Sequence, residues 1–274
     1  MGGGAFRREP DYLGIVTEVE ITTPRGSTLR GTFINPVDST DAAVVFSHAF
    51  LCDRQSSLHF SVLAGKYRSL GYATLIFDYS GHGASDDDPI TLDRRVEDLR
   101  AASGWLADQG FTRQLLHAHS SGSISAVKSR PKAVKSYFLT SPVLGPLDYD
   151  WEAIFSAEQL EELERKQETR ILEDTGSGRA YFRITPQTLI DLSLNRADHL
   201  LKKLEQPVLM VYDSADVERG MDIAGMEIFS LLPNGSRLEI AQGHNFSQKQ
   251  DLETLWQIAR PWVTRQLPIR RASR

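Results

Sequence analysis

The chain has 274 residues, 41% of them hydrophobic and 24% charged, a composition that excludes disorder and coiled coil and leaves room for a core without disulfide or metal staples. Its 31 Lys and Arg against 36 Asp and Glu leave a formal charge of −5, with a basic end only at Arg270, Arg271 and Arg274, so no nucleic-acid partner is expected. The single cysteine, Cys52, the absence of any run near 18 apolar residues and the non-signal-like start at Met1-Gly2-Gly3-Gly4 set the expectation of a cytoplasmic protein off the membrane.

Residues 15–22 and 28–34 read as two strands around a turn at Pro24-Arg25-Gly26. Residues 42–47 (AAVVFS) form a short, almost wholly apolar run, the mark of a strand buried on both faces. A helix over 57–70 follows, with Phe60, Leu63, Ala64, Tyr67 and Leu70 on one face and Gly71 ending it. Then come a strand over 73–79, a helix opened by Thr91 and a strand over 114–119. A short helix from Ser121 must stop at Arg130-Pro131. Strands over 135–140, 207–213 and 237–241 bring the count to eight. A last helix near 249–267 contains Pro261, which should kink or break it. Strands alternating with helices predict an α/β fold, a mostly parallel eight-stranded sheet with helices on both faces.

The rhythm breaks between Pro142 and Gln206, where about 60 residues carry no buried-strand run. Residues 151–172 read as one acidic amphipathic helix, and Gly176-Ser177-Gly178 as a flexible break before Tyr181-Phe182-Arg183-Ile184. An insertion of that length at one point reads as a lid over about 147–200, inside a single domain spanning 1–274.

Open parallel sheets bind ligands at the carboxyl ends of their strands. Those ends hold Ser47-His48-Ala49-Phe50, Asp78, His119-Ser120-Ser121-Gly122, Asp213 to Asp216, and Gly243-His244. Ser120 sits at a strand-to-helix turn, with small residues, Ala118 and Gly122, two positions to either side. A serine, an acid and a histidine, each at a strand end and in the order Ser120, Asp216, His244, match the triad of a serine hydrolase. His244 would take the proton from Ser120, and Asp216 would hold the imidazole tautomer; Asp213 and Glu218 are rival acids. Backbone N–H groups of Ser121 and Phe50 would receive the oxyanion. Gly81-x-Gly83 lacks the third glycine of a dinucleotide loop. His117 and His119 have no further Cys or His spaced to complete a zinc site. Neither cofactor nor metal is expected.

These residues resemble the α/β-hydrolase superfamily. His48-Ala49-Phe50 looks like its His-Gly-Phe oxyanion loop, and Asp78-Tyr79-Ser80-Gly81-His82-Gly83-Ala84-Ser85 is similar to its Asp-x-x-Gly-x-Gly-x-Ser segment. Residues 207–216 resemble its acid-bearing strand and turn, and Gly243-His244 its histidine loop. The likeness spans about 16–267 and lies nearest to serine-aminopeptidase-like and cinnamoyl (feruloyl) esterase-like members. It implies a cofactor-free enzyme that hydrolyses esters, less often amides or thioesters. Ala49, Ala118, Ser123 and Asp213 stand where the family carries glycine.

The expected function is cleavage of a carboxylic ester or thioester through an acyl-Ser120 intermediate. His48, Phe50, Cys52, Tyr149, Trp151, Phe155, Tyr181 and Phe182 are the expected pocket walls, suited to a medium-sized hydrophobic or aromatic acyl group. A triad-bearing lyase or acyl-transfer enzyme and a catalytically silent binding protein are the alternatives. The expected partner is a small-molecule acyl substrate, with a homodimer left open.

Overall fold

The computed structural model describes residues 14–36, 41–146, 150–173 and 178–270. Within them the chain runs β1 (Ile15–Thr22), β2 (Thr28–Asn35), β3 (Ala42–Ser47), α1 (Leu58–Ser69), β4 (Ala73–Phe77), α2 (Leu92–Asp108), β5 (Arg113–His119), α3 (Gly122–Ser129) and β6 (Val134–Thr140). An insertion follows: α4 (Trp151–Ile154), α5 (Ala157–Lys166), β7 (Thr169–Leu172), β8 (Tyr181–Ile184), α6 (Pro186–Ser193) and α7 (Ala197–Leu201). The chain then continues through β9 (Val208–Asp213), α8 (Ser214–Glu218), α9 (Met221–Phe229), β10 (Arg237–Ala241), a 3₁₀ turn over Lys249–Asp251 and α10 (Leu252–Gln266).

The eight main strands join in the order β1-β2-β4-β3-β5-β6-β9-β10. β2 is antiparallel to both β1 and β4, and every other neighbouring pair is parallel. All six residues of β3 and all six of β9 are buried, because helices cover both faces of the sheet there. On one face α2 and α3 deliver Val96, Leu99, Leu106 and Ile124 against Val45, Leu75 and Leu116. On the other, α1 and α10 deliver Phe60, Tyr67, Trp256 and Trp262 against Val44, Phe46 and Leu209.

Three expectations need correction. Residues 151–172 are not one helix. Ser156 caps α5 through a reciprocal box with Gln159, which separates it from α4, and Gln167 ends it in the left-handed region at φ 59. Thr169 to Leu172 then pairs antiparallel with β8 as a hairpin. The second correction is α10, which runs unbroken through Pro261. Pro261 lies on the exposed face and so does Gln257 one turn earlier, whose carbonyl loses its helical donor to the proline and can turn to water. The third is α9, which the sequence reading missed because MDIAGMEIF buries Asp222 and exposes Ile223, Met226 and Phe229, so its apolar residues follow no core-facing period. Gly225 lets it approach the sheet, since a Cβ there would lie 2.4 Å from the Tyr212 hydroxyl.

The insertion grips the segment between β4 and α2. Phe155, Leu163, Phe182 and Ile184 form their own buried cluster with Ile90, flanked by Phe50 and Leu51. Ile90 N–H donates to the Arg183 carbonyl at 3.0 Å, and Leu92 N–H donates to Asp191 at 2.7 Å.

Candidate active site

β5 delivers Ser120 to a sharp turn at the head of α3. The residue holds φ 50, in the left-handed region that a residue with a Cβ rarely adopts. The turn is tied on both sides: Ser120 N–H donates to the Thr140 carbonyl at 3.0 Å, and the Ser120 carbonyl accepts from Ser123 N–H at 3.0 Å. Gly122 permits the geometry, because a Cβ there would lie 2.4 Å from the Ser47 carbonyl oxygen and 2.7 Å from that of His48. A strained residue that its surroundings over-determine is a common property of functional turns.

Phe50 and Ser121 meet beside this turn. Phe50 N–H donates to Ser121 Oγ at 2.8 Å, which sets the loop after β3 against the start of α3. Arg95 fixes that loop and escaped the sequence reading. It is 5% exposed and donates through Nη2 to the His48 carbonyl at 2.5 Å and through Nε to Ser125 Oγ at 3.1 Å. Its guanidinium also lies 4.1 Å from the Tyr79 ring centroid, and burial lowers its pKa. The signal was present: Arg95 falls three after Leu92 and four before Leu99, an arginine on the apolar face of its helix.

His48, expected as a pocket wall, is buried structure. Its Nε2 accepts from Tyr79 N–H at 3.2 Å, so Nδ1 carries the proton and donates to the Ala49 carbonyl at 2.9 Å. Burial, reinforced by Arg95, pushes its pKa down to about 3. Asp78 is structural too, accepting from Arg54 N–H and Ala84 N–H at 2.7 and 3.0 Å. Gly83 is required beside it, since a Cβ would lie 2.3 Å from the Asp78 carboxyl carbon.

Ser120 opens onto a cleft of about 390 Å³ whose walls include Cys52, His59, His119, Asp213, Asp216 and Asn245. Burial raises the Cys52 pKa, and it holds His119, whose Nδ1 meets the Thr140 carbonyl at 3.1 Å, down at about 4. The aromatic walls expected from sequence lie elsewhere. Phe50 faces a small apolar cavity with Ile90, Ile124 and Leu192. Phe155 and Phe182 are consumed in the core of the insertion, and Trp151 lines a separate groove with Leu160 and Leu189. Tyr181 stacks under the Arg170 guanidinium at 4.0 Å, and Tyr149 lies outside the described residues. The hydrophobic periodicity was real, but it served packing of the insertion.

The acids after β9 form a reciprocal cap at the start of α8. Asp213 Oδ1 accepts from Asp216 N–H and Asp216 Oδ2 accepts from Asp213 N–H, both at 3.0 Å. Asp213 Oδ2 also accepts from Phe246 N–H at 2.8 Å. Asp216 is 2% exposed, and burial pushes its carboxyl upward against the hydrogen bonds from Asp213 N–H and the Ser141 side chain. Glu218 is exposed at the end of α8. The acid against His244 is not Asp216. His244 Nδ1 meets Asp251 Oδ1 at 3.0 Å, and Asp251 Oδ2 accepts from Asn245 N–H at 2.9 Å. Among the described residues no hydrogen bond joins His244 to Ser120 or Asp216, and the cleft wall begins at Asn245, one residue on. Sequence spacing could not show this, because a seven-residue step across an irregular turn carries no periodicity. Among the described residues no group of three or more His, Cys, Asp or Glu could hold a metal ion.

Comparison with known proteins agrees with this architecture. The Alpha/beta hydrolase GrgF from Penicillium sp. sh18 superposes with a TM-score of 0.75 at 19% identity, over 92% of this chain and 99% of that one. The Pyrococcus furiosus esterase Pf2001 gives 0.64 at 16%, over 93% and 92%, and the esterase domain of a Rhodothermus marinus protein gives 0.65 at 22%, over 92% and 98%. No curated protein matches the sequence. The model of the Alpha/beta hydrolase family matches residues 44–240, from within β3 to within β10, and so takes in the Ser120 turn and both acids after β9. The chain belongs to the alpha/beta hydrolase family.

Proposed function

We propose that the protein is a serine hydrolase that cleaves a carboxylic ester or thioester. The observation that carries this reading is Ser120, held at φ 50 between β5 and α3 and open to a cleft of about 390 Å³. Attack by Ser120 Oγ on the substrate carbonyl forms the acyl–oxygen bond, and His244 takes the hydroxyl proton. The tetrahedral oxyanion is received by the backbone N–H groups of Ser121 and of Phe50, the latter exchanging Ser121 Oγ for the oxyanion. The same proton then passes to the departing alkoxide or thiolate as its bond to carbon breaks. Water releases the acyl group by the reverse proton path.

The cleft volume falls in the ordinary range for small-molecule sites, roughly 300–1,000 Å³. Its walls of Ser56, His59, Thr140, Asp216, Asn245 and Ser247 suit a small acyl group bearing polar substituents better than the aromatic group expected from sequence. The test is intact-mass labelling with a fluorophosphonate. The expected result is one adduct on the wild type and none on Ser120→Ala or His244→Ala. An unlabelled, folded wild type overturns the reading. A labelled Ser120 without turnover of any ester or thioester redirects it to acyl transfer or elimination.

A further inference from the structure

The positions of Ser120, Asp216 and His244 do not match, and the mismatch has a direction. Ser120 and Asp216 line one cleft, as do Asn245, Phe246 and Ser247, yet the His244 ring is bonded to Asp251 instead. We propose that Asp251 holds His244 in a resting position and that the ring works from a second position, inside the cleft between Ser120 and Asp216. This rests on the reading of Ser120 as nucleophile and His244 as base.

The backbone of the histidine loop is already in place for such a change. The His244 carbonyl accepts from Ser214 N–H at 2.9 Å, and Gly243 N–H donates to Ser214 Oγ at 2.7 Å. Ser214 lies two residues before Asp216 in the same short helix, so the His244 main chain is pinned beside the acid. With the main chain so held, the proposed exchange is a rotation of the side chain, and exposed side-chain rotamers exchange far faster than enzymes usually turn over. His244 is about one-third exposed, with its side chain at 35%, so the ring leaves no packed socket behind.

Proton bookkeeping favours the exchange as well. A neutral His244 on Asp251 carries its proton on Nδ1, because a carboxylate can only accept. Asp216 requires that same Nδ1–H, which leaves Nε2 unprotonated for Ser120. The ring therefore changes partner without changing tautomer.

The two acids differ in what they gain. Asp251 has a second partner in Asn245 N–H, which with His244 holds its carboxyl below the usual carboxylate range. Asp216 is buried, braced by Asp213 N–H and the Ser141 side chain, and a carboxylate retains further lone pairs for an imidazole. Arg219 favours the Asp216 carboxylate and Asp213 opposes it, so an imidazolium formed in the cleft would add a favourable charge beside a buried acid.

The test is the rate of fluorophosphonate labelling of Ser120 in wild type, Asp251→Ala, Asp251→Asn and Asp216→Asn, each with a thermal melt. If the resting position holds most of the population, both Asp251 variants should label about threefold to tenfold faster. Asp216→Asn should label at least ~10²-fold slower. Slower labelling in the Asp251 variants with Asp216→Asn unaffected would make Asp251 the working acid and overturn the proposal. Unchanged labelling in folded Asp251 variants overturns it too. Should both Asp251 variants unfold, ¹⁵N spectra of wild-type His244 decide: the Nδ1–H signal must shift when Ser120 is phosphonylated, and an unmoved signal refutes the exchange. Wild-type labelling of His244→Ala would instead remove His244 as base, a failure of the functional reading and distinct from the outcomes above.

Discussion

On one side of Ser120 the loop from His48 to Phe50 is held by buried contacts: Arg95 on the His48 carbonyl, Tyr79 N–H on the His48 ring, and Ser121 Oγ on Phe50 N–H. On the other side His244 is about one-third exposed and bonded to Asp251, whose side chain is itself 19% exposed. The first region is held by buried hydrogen bonds, whereas the His244 ring is held at the surface by one contact with Asp251. On the proposed reading that division suits a hydrolase, in which oxyanion donors are held in place while a base has to approach, take a proton and return it. Departures from the family pattern fall on both sides, Ala49 on the first and Asp213 on the second. The Asp213 carboxylate caps α8, and nothing in the structure explains Ala49.

The fixed side should break hardest. Arg95→Ala strands the buried His48 carbonyl, so the protein should lose about 1–3 kcal/mol of stability. Because the loop beside Phe50 then drifts, the labelling rate of Ser120 should fall ~10²-fold. Thermal melts and labelling time courses measure both, and a stable variant with wild-type labelling would show that Arg95 does not hold the loop.

The acid limb of stability sharpens the contrast from beneath the site. His117 is fully buried, with no hydrogen-bond partner for either ring nitrogen among the described residues, and is packed against Phe46, Phe60 and Phe138. Burial holds its pKa well below 6.5, and His59 and His119 beside it are lowered as well. Such groups bind protons in the unfolded chain before the folded one. Stability is therefore intact above about pH 6.5 and declines as pH falls towards the folded values, by up to ~1.4 kcal/mol per pH unit for each histidine. Melting temperatures of wild type and His117→Phe from pH 7.5 to 5 should diverge, with the variant showing the shallower loss. Parallel curves would remove His117 from the account.

The smallest effect belongs to the insertion. Trp151 stacks near Phe155 with ring centroids 5.9 Å apart and lies away from the Ser120 cleft. Trp151→Ala should leave the labelling rate within roughly twofold. A large loss would return the aromatic residues of the insertion to the substrate pocket.

Much of the fold was legible along the chain. AAVVFS at 42–47 and the other buried runs mark strands whatever surrounds them, and Arg130-Pro131 ends α3 where the missing N–H and fixed φ demand. The Ser120 turn was legible as well, since Gly122 is the residue that lets the backbone pass the carbonyls of Ser47 and His48. The irregular segments were not: the break at Phe155-Ser156, the hairpin after it and the course of α9 depend on caps and contacts that no period announces.

The sequence by itself determined the alternating strand and helix order, and with it the strand ends where Ser120, Asp216 and His244 emerge, because side-chain periodicity and turn chemistry act over a few residues. Tertiary structure alone decided who partners whom. Arg95 reaches the His48 carbonyl across 47 positions, Phe50 meets Ser121 across 71, and His244 turns to Asp251 while Asp216 caps its own helix. Hydrogen bonds and burial are settled by which groups share a desolvated space, and that space exists only once the sheet has brought distant segments together.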